Sequence, residues 1–265
     1  MKQKFDFDTL AEREGVGCMK LLETPEAVRK AGLISFAGAE ADFKTAPAII
    51  DGIVRRAQGG FLGYTVPDEA YFSAICHWMK KERRWQVEPE WIVPTGGTIR
   101  SVQAAIRMTT QPGEGIIVQP PVYYRYKQAA DRIGRKTIYN PLKMVGGRYE
   151  MDFENLEHCM EDSKNRLMIL CNPHNPIGQV WSPDHLAKVA RLARRYGVTV
   201  FSDEIFAETV YNGHIVQPYS EAPDAWEHAI VSTSLGKAFS LTGVNYANLI
   251  IPDKTLREAF IAQRN

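Results

Sequence analysis

Apolar residues in the first third of the chain recur at helical spacing, bracketed by start and stop signals. In "ETPEAVRKAG" (23–32) a threonine cap, a proline and a closing glycine frame a short helix. "TAPAIIDGIVRRAQGG" (45–60) repeats the arrangement, with Thr45 as cap, Ile49, Ile50, Ile53 and Val54 on one face, and Gly59-Gly60 at the exit. "DEAYFSAICHWMKKERRW" (68–85) predicts a third amphipathic helix, whose basic end suits the helix dipole.

From residue 91 the period shortens. Apolar runs of strand length alternate with longer periodic segments: "WIVPTGG" before "TIRSVQAAIRMTT", "GIIVQPP" before "VYYRYKQAADRIG", and "RLMILCNP" before "SPDHLAKVARLARRYG". "VTVFSDE", "AIVSTS" and "NYANLII" follow. Strands with almost no polar interruption are buried on both faces, so the alternation predicts an α/β fold with a mostly parallel sheet.

In open α/β sheets, ligands bind beyond the carboxyl ends of the strands. The polar irregularities of this sequence fall there: 95–98 (Thr-Gly-Gly-Thr), 120–123 (Pro-Pro-Val-Tyr), the segment "CNPHNPIGQVW" (171–181), 202–204 (Ser-Asp-Glu), and "STSLGK" (232–237). Asn172-Pro173 and Asn175-Pro176 both oppose regular backbone, so the third strand must end in a rigid polar turn.

Composition narrows the function classes. The 265 residues are 45% hydrophobic and 24% charged, ordinary for a globular protein with a real core. Lys and Arg number 32 against 31 acids, a net charge of +1, which points to no nucleic-acid partner. No apolar run has membrane-span or signal-peptide length, so no membrane partner is expected. Cys18, Cys76, Cys159 and Cys171 lack metal-site spacing, which argues against zinc and disulfides and fits a cytoplasmic protein.

The order Asn-Pro-x-Asn-Pro-x-Gly, then Ser-Asp-Glu, then Ser-x-x-Lys resembles the fold type I pyridoxal 5'-phosphate (PLP) enzymes of the class I/II aminotransferase family. "CNPHNPIGQVW", "SDEIFAETVY", "FDFDTLAEREGVGCMK", "ADFKTAPAII" and "GGFLGYT" resemble more closely its MalY/PatB branch of cystathionine β-lyase-type carbon–sulfur lyases. The resemblance spans essentially the whole chain. It implies a three-layer α/β/α large domain over 46–265 that binds PLP. Residues 1–45 would contribute to a small domain and to the interface of a homodimer.

Carried onto this sequence, the resemblance makes Lys237 the residue that joins PLP covalently and moves the substrate's Cα proton. A lysine does this only when neutral, which requires a dry or cation-influenced pocket. Asp203 would face the pyridine nitrogen, although aspartate after a strand is also a common helix cap. Asn175 would donate to the phenolic oxygen; a plain strand-ending turn is the competing reading. Gly97, Thr98 and Ile99 begin a helix, where backbone N–H groups suit a phosphate, and Ser234 adds a hydroxyl. Tyr123 would stack on the ring, with Tyr124 as its rival, and Tyr64 would reach the phosphate of the neighbouring subunit.

The chain also departs from the family. Phe206 stands where a tyrosine or histidine is frequent, and Asn245 where a phosphate-binding arginine is usual. Ala39 and Ala41 replace the acidic lip of the branch. The helical pattern "DKTLREAFIAQRN" (253–265) stops without an exit signal, and no residue maps onto the family's carboxylate-binding arginine, so the expectation is a fragment lacking the small C-terminal domain. The reaction implied is β-elimination of an L-cysteine thioether to thiol, pyruvate and ammonia. A PLP-dependent aminotransferase and a truncated, non-catalytic PLP-binding protein are the alternatives.

Overall fold

The computed structural model describes residues 5–36 and 38–264. Its helices are α1 (Met19–Leu22), α2 (Glu26–Lys30), α3 (Pro47–Gln58), α4 (Glu69–Arg83), α5 (Thr98–Thr109), α6 (Arg125–Asp131), α7 (Phe153–Glu161), α8 (Pro183–Tyr196), α9 (Leu235–Ala238) and α10 (Lys254–Arg264). The strands are β1 (Ile92–Thr95), β2 (Gly115–Val118), β3 (Lys136–Tyr139), β4 (Lys143–Val145), β5 (Arg148–Glu150), β6 (Asn165–Cys171), β7 (Thr199–Asp203), β8 (Ala229–Thr233) and β9 (Ala247–Ile250).

Seven strands form one sheet in the order β1-β9-β8-β7-β6-β2-β3. All run the same way except β9, which is antiparallel to β1 and β8. Side chains alternate between two cores, as a two-faced strand requires. Met168, Leu170, Val200 and Val231 pack with Met79 of α4, Leu156 of α7 and Leu186 of α8. Leu167, Ile169, Phe201 and Ile230 pack with Val102 of α5, Tyr126 of α6 and Phe260 of α10. Helices therefore cover both faces, the three-layer α/β/α arrangement expected from the sequence. Each fully buried aliphatic side chain of this kind contributes roughly 1.5–3 kcal/mol.

Local start signals explain the helix boundaries. The Asp68 carboxylate accepts from the Tyr71 N–H (2.9 Å) and opens α4; Ser182 Oγ accepts from the His185 N–H (3.3 Å) and opens α8. Gly197 closes α8 with φ 65°, a left-handed conformation that glycine adopts without penalty. The two expected threonine caps are corrected. Pro25 precedes α2 and Ala46 precedes α3, each one residue beyond the threonine. Proline's fixed φ starts a helix without a side-chain acceptor, and Thr24 Oγ1 bonds back to Lys20 O instead. Helix α3 has no buried residue; Ile50, Ile53 and Val54 are 45%, 53% and 44% exposed. Among the described residues, no helix is long and apolar enough to cross a membrane.

Candidate active site

The register aligns the carboxyl ends of the central strands. Cys171 of β6 pairs with Asp203 of β7, and Asp203 with Ser232 of β8. Alternation then sends neighbouring side chains to opposite faces. Ser202 and Glu204 turn toward α4: the buried Glu204 carboxylate accepts from Ser202 Oγ (2.8 Å) and Tyr219 N (2.8 Å) and pairs with Arg83. Asp203 turns toward α6, where it meets Tyr126 and the side of Cys171.

Asp203 is 3% exposed. Its Oδ2 accepts from the Tyr126 hydroxyl at 2.6 Å and its Oδ1 from the Ile205 N–H at 3.3 Å. Burial pushes its pKa up to about 6, the Tyr126 hydrogen bond being the main opposing influence. The Cys171 thiol is pushed up to about 12 by burial and stays protonated.

The turn after β6 assigns different work to its two asparagines. Asn172 is fully buried; its N–H donates to Asp203 O (2.9 Å) and its Oδ1 accepts from the Trp181 N–H (3.1 Å). His174 Nε2 lies 2.9 Å from Pro121 O, which ties the turn to the segment carrying Tyr123. Asn175 is partly exposed, and its backbone N–H donates to Cys171 Sγ at 3.4 Å.

Lys237 sits on the single turn of α9. Ser234 caps that turn, its Oγ accepting from Gly236 N (3.0 Å) and donating to Tyr246 O (2.8 Å). The Lys237 amine donates to Ala39 O at 3.0 Å and lies 5.7 Å from the centroid of the Phe206 ring. Phe206 thus offers a ring face where a hydroxyl or imidazole would offer a hydrogen bond. Burial lowers the amine's pKa; Asp203 and Glu40 oppose that shift and Arg125 adds to it.

One cleft of about 380 Å³ brings these groups together, within the roughly 300–1,000 Å³ of small-molecule sites. Gly97, Thr98, Ile99, Tyr123, Asp203, Ser234 and Lys237 all line it. Gly97 has φ 108°, and a Cβ there would meet Asn245 O at 3.6 Å. No side chain caps the start of α5, and Gly97, Thr98 and Ile99 there line the cleft. Arg100, Arg125 and Arg132 also line the cleft. They were missed in the sequence because each reads as an ordinary exposed helix residue; they place positive charge where Asn245 supplies none.

Two expected site residues are not in this cleft. Asn175 is absent from its lining, its backbone N–H bonded to the buried Cys171, and Tyr64 is fully exposed on the single chain. Of the rival tyrosines, Tyr123 lines the cleft and Tyr124 is 60% exposed. A more apolar cavity of about 310 Å³ lies across α9, against Tyr71, Trp78 and Phe239; Lys237 and Asp203 are absent from its lining.

Comparison with known proteins decides the family. Residues 31–264 match the family described as aminotransferase class I and II. The chain belongs to that family. This class I/II aminotransferase-family chain is 35% identical over 263 residues to the cystathionine β-lyase PatB of Bacillus subtilis, covering 98% of itself and 68% of that protein. It is 29% identical over 260 residues to the protein MalY of Escherichia coli, covering 97% and 66%. Cystalysin from Treponema denticola, which contains a pyridoxal 5'-phosphate cofactor, superposes with a TM-score of 0.91 at 30% identity, covering 99% of this chain and 67% of its own. The PLP-bound C–S lyase from Staphylococcus hominis gives 0.89 at 27%, covering 98% and 66%. The chain thus spans about two thirds of the length of its relatives.

The residues present fit PLP. A half-buried amine of lowered pKa, a buried carboxylate, an aromatic ring and a bare helix start share one cleft with three guanidinium groups.

Proposed function

We propose that this chain forms the cofactor-binding part of a PLP-dependent carbon–sulfur β-lyase acting on L-cysteine thioethers such as cystathionine. The carrying observation is the meeting of Lys237, Asp203 and the 97–99 helix start in one cleft, in a chain 35% identical to a cystathionine β-lyase. Bound PLP supplies an electron sink for the bond broken at the substrate's Cα.

The chain's own residues do the rest. Lys237, its amine discharged more readily than an exposed lysine's, would hold the cofactor at its aldehyde and would take the substrate's Cα proton. Asp203 would hold a proton at the pyridine nitrogen. Tyr123 would cover the ring face and exclude water, and Asn175, which stands outside the cleft lining, would supply an amide donor at the phenolic oxygen. The N–H groups of 97–99, the Ser234 hydroxyl and the neighbouring arginines hold the phosphate. Ser234 must rotate its proton away from Tyr246 O to do so. The net reaction would consume one water and release the thiol, pyruvate and ammonia.

Residues 46–265 act as the PLP-binding large domain, and 1–45 as a segment contributing to the small domain and the dimer interface. The bare apolar face of α3 and the exposed Tyr64 suit a homodimer in which Tyr64 reaches the other site.

The test is purified protein with PLP and cystathionine. Release of thiol and pyruvate in equal amounts is the expected result. Amino-group exchange with a keto acid, without pyruvate, means transamination. PLP uptake without turnover of any amino acid means a cofactor-binding, non-catalytic chain.

A further inference from the structure

We propose that Tyr126 is a positioning residue for the PLP site: its hydroxyl holds the Asp203 carboxylate charged and aimed, while its ring and oxygen fasten the supports of the cofactor ring. The cofactor part of this inference rests on the function proposed above. Tyr126 is 1% exposed and contacts Asp203, Cys171 and Tyr123. Its hydroxyl donates to Asp203 Oδ2 at 2.6 Å and lies 3.6 Å from Cys171 Sγ. Cys171 Sγ in turn accepts from the Asn175 N–H at 3.4 Å. The Tyr126 ring meets the Tyr123 ring edge-on, with centroids 5.5 Å apart and planes at 89°. One side chain on α6 therefore links the groups assigned to the pyridine nitrogen, the phenolic-oxygen edge and the ring face.

The electrostatics give the hydroxyl a direction of action. Burial holds the Tyr126 phenol well above its ordinary pKa, so it stays protonated and can only donate to the carboxylate. The groups facing Asp203 are Tyr126 on α6, Cys171 on β6, Lys237 on α9, the Tyr123 phenol before α6, and Glu204 on the other side of its own strand. Of these only Tyr126 and Lys237 favour the charged form. Burial favours the neutral acid, and Tyr126 is the largest counterweight. Without that hydroxyl, Asp203 keeps one 3.3 Å amide bond and the field of Lys237. Its proton affinity then rises, and the shared proton moves from the pyridine nitrogen to the carboxylate.

The test is Tyr126→Phe, which keeps the ring and its packing and removes the hydroxyl. In cofactor-free protein, urea-unfolding midpoints are followed from acid to alkaline pH, with Asp203→Asn as reference. The folded pKa of Asp203 is raised, so its stabilising contribution is greatest at low pH and falls as pH rises through about 6. In Tyr126→Phe this falling limb moves up by about one pH unit or more, a tenfold rise in proton affinity, and Asp203→Asn lacks it. With nitrogen-15-labelled PLP, the pyridine nitrogen of Tyr126→Phe moves toward the unprotonated chemical shift. If Tyr126→Phe does not fold, fluorotyrosine at 126 replaces it; that more acidic phenol must move the limb to lower pH. Coincident limbs in wild type and variant overturn the proposal, because a residue that only fills space moves neither readout. If the wild-type chain takes up no PLP, the proposed function falls and the cofactor role of Tyr126 with it, while the cofactor-free curves still decide its hold on Asp203.

Discussion

The two adjacent carboxylates at the end of β7 ought to respond to neutralisation in different ways, and Glu204→Gln tests this most directly. Glu204 and its partner Arg83 have side chains 0% and 1% exposed. The glutamate also accepts from Ser202 Oγ and Tyr219 N at 2.8 Å, and Arg83 Nε donates to Val216 O at 3.2 Å. Glutamine can keep both neutral acceptor bonds, but it turns an NH₂ toward a guanidinium that remains charged and buried. A contact pair at an effective dielectric near 20 is worth about 4 kcal/mol, and breaking a buried pair from one side typically costs about 3–5 kcal/mol. Among the described residues Arg83 Nη1 has no hydrogen-bond partner, and the Glu208 carboxylate acts on the guanidinium only through its field, so compensation is partial. Glu204→Gln should therefore lose about 3–5 kcal/mol, a large share of the roughly 5–15 kcal/mol of a typical domain. Urea unfolding of wild type, Glu204→Gln, Arg83→Met and the double variant measures it. The double variant should cost well below the sum of the singles, because it leaves no orphaned charge. A loss below about 1 kcal/mol for Glu204→Gln, or additive singles, would refute the assignment of Glu204 to structure.

Three further outcomes are expected. Lys237→Ala should abolish the visible absorption of PLP-loaded protein and lower turnover by at least about a thousandfold, with the unfolding midpoint nearly unchanged. His228, held by burial at a pKa of about 4 and bonded to Tyr219 Oη at 2.9 Å, has a depressed folded pKa, so its stabilising contribution is present above pH 6.5 and is lost as pH falls through about 4. The loss approaches about 3 kcal/mol; His228→Gln should flatten that acid limb in unfolding curves, and an unchanged limb would assign it elsewhere. Ile53→Asp, in the middle of the bare face of α3, should weaken self-association at least about tenfold by sedimentation equilibrium, whereas a wild-type monomer would remove the dimer from the proposal.

The fold was legible where burial was two-sided. Strands β2, β6, β7 and β8 each hold consecutive apolar residues buried on both faces, and Ser182 and Gly197 mark α8 at both ends. Strand β3 was not singled out because "KTIY" is a half-exposed edge, and β4 and β5 are three-residue strands largely open to solvent. The direction of β9 was also invisible, since a central strand buried on both faces looks alike whichever way it runs. In the site, motif order led to Lys237, Asp203 and the 97–99 turn, which do share a cleft. Tyr126 escaped notice because its value lies in a contact 77 positions away in sequence. Nothing in "VYYRYKQ" distinguishes a tyrosine that carries a buried hydrogen bond from one that fills the core.

The reversed strand β9 has a consequence for Lys237. A parallel connection would have to carry the chain across a face of the sheet and back, a dozen residues or more. Residues 234–246 instead leave and re-enter at the same end of the sheet, an arch with both feet planted in neighbouring strands. A nucleophile mounted on such an arch can swing but cannot wander. Lengthening the arch by even a few residues would detach the amine's position from the framework that holds the acid opposite it.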